Sequence, residues 1–86
     1  LLLRIARQYR HLAASAPTTA EKVALFETSK TYATRAIALE PRNAETHLSL
    51  AISYAKMLPL LDKREQIDAS KAVKINVDEA LALNPR

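Results

Sequence analysis

Four prolines divide this chain of 86 residues into segments of helical length, and the chain contains no glycine. The prolines stand at positions 17, 41, 59 and 85. Because a proline ring removes an amide donor and pushes the preceding residue away from helical dihedral angles, helices are expected to end near these positions. The absence of glycine disfavours phosphate-binding loops, dinucleotide-binding turns and two-residue hairpins, since each needs a residue that takes positive φ or lets a ligand approach the backbone. The chain therefore favours helices joined by short connections.

Each segment between prolines has apolar residues at the three- and four-residue spacing of an amphipathic helix. The predicted helices span residues 2–14, 19–40, 43–58 and 62–84. Thr18 and Glu21 form a capping-box pattern before the second helix. Asn43 is a favourable N-cap for the third, and Asp62 with Glu65 matches a cap for the fourth. No segment alternates like a strand, so the prediction is an all-α fold of antiparallel helical hairpins.

The sequence also contains an internal repeat. Residues 36–42 and 80–86 agree at five of seven positions, at an offset of 44 residues. An apolar residue, an alanine and a tyrosine recur upstream at an offset of 45 residues, as Ile5, Ala6 and Tyr9 and again as Leu50, Ala51 and Tyr54. Two markers at nearly the same offset indicate two copies of one hairpin. We predict a single domain over residues 1–86, with repeat one at 1–42 and repeat two at 43–86.

Alanines stand where such a repeat needs close helix contact. Ala6 and Ala51 are expected to let the second helix of each hairpin approach the first, and Ala36 and Ala80 to receive the next hairpin. The chain opens without methionine and in the middle of this pattern, and we expect it to be a fragment of a longer protein. One preceding helix is not expected to cover all the apolar residues of the fourth helix. We therefore expect further repeats of the same chain, or another subunit, to pack against the fourth helix. These apolar residues are Val73, Val77 and Leu81.

The repeat resembles the tetratricopeptide repeat. The matching residues are Ile5, Ala6, Tyr9, Ala36 and Pro41 in the first copy and Leu50, Ala51, Tyr54, Ala80 and Pro85 in the second. Each copy is about ten residues longer than the usual unit of about 34 residues. The resemblance implies two lengthened repeats stacked as a tetratricopeptide-like α-solenoid.

The lengthened pattern is similar to the N-terminal part of the tetratricopeptide-like domain of the regulator of microtubule dynamics protein family. Matching stretches are residues 3–7, Glu21-Lys22, residues 32–36, His47 with Ala51-Ile52, and residues 80–85. The resemblance implies a cytoplasmic adaptor at microtubules or at the mitochondrial outer surface. Members of the family are associated with mitochondrial membranes and lipid handling.

The positive charge is concentrated at the start of the chain. Residues 1–42 carry all of the net charge of +4, and residues 1–15 contain three arginines and no acid. The candidate partner-binding residues are Arg4, Arg7, Arg10, Ser49, Ile52 and Lys56. The spacing of three places the arginines along one side of the first helix, which in the resembled repeat faces the concave groove. They either hold a carboxylate or phosphate through charge-assisted hydrogen bonds, or form a solvated face whose stems cover apolar surface.

These features favour a non-catalytic protein-interaction scaffold that binds an acidic protein or peptide segment in the concave groove. The alternative is peripheral binding or transfer of anionic phospholipid at a membrane surface, because a basic helix attracts anionic head groups. No apolar run reaches the about 18 residues of a membrane span. Nucleic-acid binding is disfavoured, since the aromatic residues fall on core-like positions and leave no stacking platform beside the basic side chains.

The titratable residues do not form a pattern typical of an enzyme or a metal site. His11 and His47 lack a second ligand at helical spacing, and there is no cysteine. Asp62 is explained by capping, and Asp78 and Glu79 point to different sides of a helix. We therefore expect no catalytic activity, no metal and no cofactor.

Overall fold

The structure, a computed structural model, describes residues 1–84 as four α-helices. They are α1 (Leu2–Ser15), α2 (Thr19–Leu39), α3 (Ala44–Met57) and α4 (Lys63–Leu83), with a 3₁₀ turn at Leu58–Leu60. Each bound lies within one residue of its prediction, and residues 1–84 contain no strand. The all-α prediction is therefore confirmed. The expected helix stop at Pro85 and the end of the second repeat lie outside the described residues.

Side-chain caps fix the starts of three helices. The Thr18 hydroxyl accepts the Glu21 N–H at 3.2 Å, and Asn43 Oδ1 accepts the N–H two residues ahead at 3.0 Å. Asp62 and Glu65 form a complete capping box, in which each side chain accepts the backbone N–H of the other residue. At the start of α2, only the half of the box that involves the Thr18 side chain is formed within the described chain. Each cap contributes about 1 kcal/mol.

Consecutive helices run antiparallel, and two core clusters establish this. One cluster contains Ala6, Ala33 and Leu50, and the other contains Ala13, Phe26 and Met57, in each case from α1, α2 and α3 in that order. From the first cluster to the second, the residue numbers increase in α1 and in α3 but decrease in α2. The helices α1 and α3 therefore run parallel to each other, and α2 runs antiparallel to both. Near the other end, Ala80 of α4 shares a cavity with Ala44, and Ala69 shares one with Met57. The helix α4 therefore returns along α3.

The four alanines that the repeat marks are buried between the helices. Ala6 and Ala51 are 0% and 2% exposed, and Ala36 and Ala80 are also buried. The largest fully buried side chains in the described residues are two serines and a threonine. Of the ten buried apolar residues described, seven are alanines, and the larger three are Phe26, Leu50 and Met57. The core therefore depends on close backbone approach more than on large side chains.

The outer face of α4 is incompletely covered. Leu81 is 54% exposed, while Val73 and Val77 are half-buried. Ile67 and Ile75 on the same helix are also exposed. This distribution agrees with the expectation that α3 alone does not cover the apolar residues of α4.

Candidate binding groove between α1 and α3

All six candidate binding residues line one groove between α1 and α3, which we call the α1–α3 groove. It consists of two adjoining cavities of about 280 and 240 Å³. Arg7, Arg10 and Ile52 line both cavities. Arg4 and Ser49 line the first, and Lys56 lines the second. The fold therefore brings together all six residues that were selected from the sequence.

Helical spacing explains this assembly. The three arginines of α1 recur every three residues, and Ser49, Ile52 and Lys56 recur every three or four residues on α3. Because α1 and α3 run in the same direction, the two rows face each other along the groove. The walls also include residues that the sequence analysis did not select, namely Leu3, His11, Ala14, Glu45 and Leu48. Leu3 and Leu48 add apolar surface to the first cavity.

Arg10 reaches across the groove and binds α3. Its Nη1 donates to the Ser49 carbonyl at 3.2 Å, to the Ser49 hydroxyl at 2.9 Å and to the Ser53 hydroxyl at 3.2 Å. The residue is half-buried, whereas Arg4 and Arg7 are exposed. The description of a solvated face therefore fits Arg4 and Arg7 but is wrong for Arg10, because its guanidinium is held by neutral oxygens of α3.

Two of the three oxygens that hold Arg10 belong to a buried group of hydroxyls, which we call the hydroxyl seam and which consists of Ser29, Ser49 and Ser53. The Ser29 and Ser53 hydroxyls lie 2.8 Å apart, and the Ser29 hydroxyl donates to the Ala6 carbonyl at 2.8 Å. No buried side-chain nitrogen or oxygen in the described residues lacks a hydrogen-bond partner. The seam thus links α1, α2 and α3 around Arg10.

Ser29 and Ser53 were not predicted from the sequence. A serine in a helix resembles a surface residue unless its partner is known, and the partners here are far away in sequence. One local signal was available, since Ser49 and Ser53 are four residues apart beside the buried Leu50 and Ala51. Two hydroxyls on one face of an apolar helix indicate a shared polar partner.

The groove carries positive charge that its own residues do not neutralise. Its walls contain four cations, Arg4, Arg7, Arg10 and Lys56, and one carboxylate, Glu45. Neither of the two ion pairs within residues 1–84, Lys30 with Glu27 and Lys74 with Asp78, involves a groove residue. Burial, followed by the charge of Arg7, lowers the pKa of Arg10, but a guanidinium remains protonated. The arrangement is suited to an anionic ligand.

Several titratable and aromatic residues outside the groove have structural partners. His47 is half-buried, and its Nε2–H donates to the Pro41 carbonyl at 2.7 Å, while Asp62 caps α4 as predicted. The Tyr9 and Tyr32 rings stack with centroids 5.6 Å apart. Within the described residues, no three His, Asp or Glu side chains meet in a group that could hold a metal ion. None of the described helices combines the length and the apolar character needed to cross a membrane.

Comparison with known proteins identifies a family. A family model described as Regulator of microtubule dynamics protein 1-3 matches residues 1–86. No curated protein and no solved structure matches the chain. The family match confirms the resemblance drawn from the lengthened repeat.

Proposed function

The chain belongs to the regulator of microtubule dynamics protein family, and on that premise we propose that it is a non-catalytic, microtubule-associated interaction domain. The proposed ligand is an acidic protein segment that lies in the α1–α3 groove. The proposed setting is the cytoplasm, at microtubules or at the mitochondrial outer surface. We further propose that residues 1–42 and 43–86 are two lengthened repeats of a tetratricopeptide-like solenoid, an arrangement supported by antiparallel packing in chain order and by buried alanines at the marker positions.

The uncompensated positive charge of the groove supports the acidic ligand. Four cations face one carboxylate, and the half-buried Arg10 contacts only neutral oxygens among the described residues. A partly desolvated cation attracts an anion more strongly than a fully hydrated one, because the effective dielectric constant is lower. An acidic segment would supply the missing counter-charge.

The shape of the groove supports a protein segment as the source of that anion. Its walls on α1 run from Leu3 to Ala14, which corresponds to roughly 16 Å of helix. An extended segment of about five residues spans that length. Leu3, Leu48 and Ile52 offer apolar contacts between the charged positions, so a segment that mixes acidic and apolar residues fits the groove.

Co-sedimentation with purified microtubules tests the proposal. The groove variant carries Arg4→Ser and Arg7→Ser, since both side chains are exposed and lie outside the hydroxyl seam. The matched control carries Lys63→Ser and Arg64→Ser, which remove the same charge from exposed positions at the start of α4. We expect the groove variant to bind about tenfold more weakly and the control to bind nearly as wild type.

Two outcomes would contradict the proposal. Equal loss of binding in both variants would show that total charge, not the groove, mediates association. The second outcome is that the wild-type protein floats with anionic vesicles but not with neutral ones, and does not bind microtubules. This result would reject the protein partner and favour the lipid alternative.

A further inference from the structure

Arg10 presents hydrogen-bond donors that the fold does not use. A guanidinium has five N–H groups. The two on Nη1 face the three oxygens of Ser49 and Ser53. The one on Nε and the two on Nη2 have no acceptor within residues 1–84. The side chain is therefore bound at one end and available at the other.

The available donors form the edge of the guanidinium that pairs best with a carboxylate. The Nη1 atom lies on the same side as Cδ, so the Nε–H and one Nη2–H point in parallel along the opposite edge. Two parallel N–H groups match the two oxygens of a carboxylate in a bidentate pair. Because the hydroxyl seam holds Nη1, the plane of the guanidinium is fixed before a ligand arrives, and less side-chain freedom is lost on binding.

The position of Arg10 strengthens this argument. It lines both cavities of the α1–α3 groove, and Arg7 lies close enough to lower its pKa further after the effect of burial. Ile52, which also lines both cavities, adds apolar surface to the groove at this position. Arg4 and Arg7 are exposed, so they contribute charge without a fixed orientation.

We infer that Arg10 is the specificity-determining residue of the groove and receives one aspartate or glutamate side chain of the bound segment as a bidentate pair. This inference rests on the proposed function for its ligand. Arg4, Arg7 and Lys56 then attract the remaining acidic residues through charge alone. The assignment separates Arg10 from its neighbours by geometry rather than by charge.

An NMR titration tests the edge without any partner protein. Acetate is added to the wild-type domain while the Nε–H resonances of the arginines are followed. We expect a saturable downfield shift for Arg10 and small, linear shifts for Arg4 and Arg7. No shift at Arg10, or equal shifts at all three, would overturn the inference. A stronger saturable response to inorganic phosphate than to acetate would overturn the assignment of the ligand as a carboxylate.

A peptide measurement tests the same edge in the groove. The probe is a fluorescent peptide of about five residues in which glutamate and leucine alternate, and binding is followed by anisotropy. Arg10→Lys and Arg7→Lys both keep the charge, but a lysine ammonium does not form a planar bidentate pair. We expect Arg10→Lys to weaken binding about tenfold or more, Arg7→Lys by less than about threefold, and the α4 control Arg64→Lys not at all.

The two measurements distinguish the failure of the inference from that of the proposed function. If the wild type binds the peptide and Arg10→Lys and Arg7→Lys weaken that binding equally, the groove binds acidic segments but the inference about Arg10 is wrong. If acetate shifts Arg10 but the peptide does not bind, the carboxylate edge is supported and the proposed function fails. Thermal melts of both lysine variants establish that they are folded, and the acetate titration needs no variant.

Discussion

Replacing Ala6 with leucine tests the close helix contact on which the fold depends. Ala6 is 0% exposed and lies in a cluster with Ala33 of α2 and Leu50 of α3. Its carbonyl oxygen also accepts the Ser29 hydroxyl at 2.8 Å. The larger side chain has no free space at this position, so α1 must move away from α2 or the leucine must adopt a strained rotamer.

The expected loss of stability is large relative to the free energy of unfolding of the whole domain. Overpacking of this kind costs about 1–3 kcal/mol, and breaking the Ser29 hydrogen bond would add about 1 kcal/mol. A domain of this size has a free energy of unfolding of roughly 4–13 kcal/mol. Since 1 kcal/mol shifts the melting temperature of such a domain by about 4–8 °C, a total loss of about 1–4 kcal/mol means that Ala6→Leu should lower it by roughly 4–32 °C. Ala51→Leu, at a position 2% exposed, should behave in the same way.

The assay is thermal and urea unfolding followed by circular dichroism. Ala38→Leu is the matched control, because Ala38 is an exposed alanine within α2, where the change should alter the free energy of unfolding by less than about 0.5 kcal/mol. If Ala6→Leu and Ala51→Leu both have the same melting temperature as Ala38→Leu, Ala6 and Ala51 do not mark close helix contacts, and the alignment of the two repeats is wrong.

Three further predictions concern other parts of the molecule. Asp62→Ala should lower the free energy of unfolding by about 1 kcal/mol in urea, because it removes the cap of α4; no change would show that the cap is dispensable. Ser53→Ala should cost about 1–3 kcal/mol by the same measurement, since it leaves Ser29 and Arg10 each without one partner, and a neutral result would contradict the structural role of the hydroxyl seam. Leu81→Ser should change the free energy of unfolding in urea by less than about 0.5 kcal/mol, because Leu81 is already 54% exposed; a loss as large as that expected for Ala6→Leu would contradict this exposure.

The sequence predicted the helices and the groove face because local chemistry determines both. Asp62 caps α4 through the backbone of Glu65, three residues away, and proline disfavours continuation of a helix through its own ring and its missing amide. Likewise, the spacing of the arginines by three residues is enough to place them on one face of α1. Such features need no knowledge of the tertiary fold.

The anchoring of Arg10 could not be predicted in the same way. Its hydrogen bonds join residues separated by 39 and 43 positions, so they exist only once α1 and α3 lie side by side. Sequence patterns alone treated Arg10 as equivalent to Arg4 and Arg7. The difference between them depends on the depth of the groove, which is a property of the packed helices.

The hydroxyl seam determines the register in which the helices pack. Apolar contacts are not directional, so on their own they tolerate a slip of one helical turn, about 5.4 Å, better than hydrogen bonds do. The Ser29 hydroxyl, however, needs the Ala6 carbonyl on one side and Ser53 on the other. A slipped α2 would bury hydroxyls without partners, at about 1–3 kcal/mol each. Three small polar side chains thus hold the helices in register in a domain that has few large core side chains. The same register keeps the residues of α1 and α3 opposite each other along the α1–α3 groove.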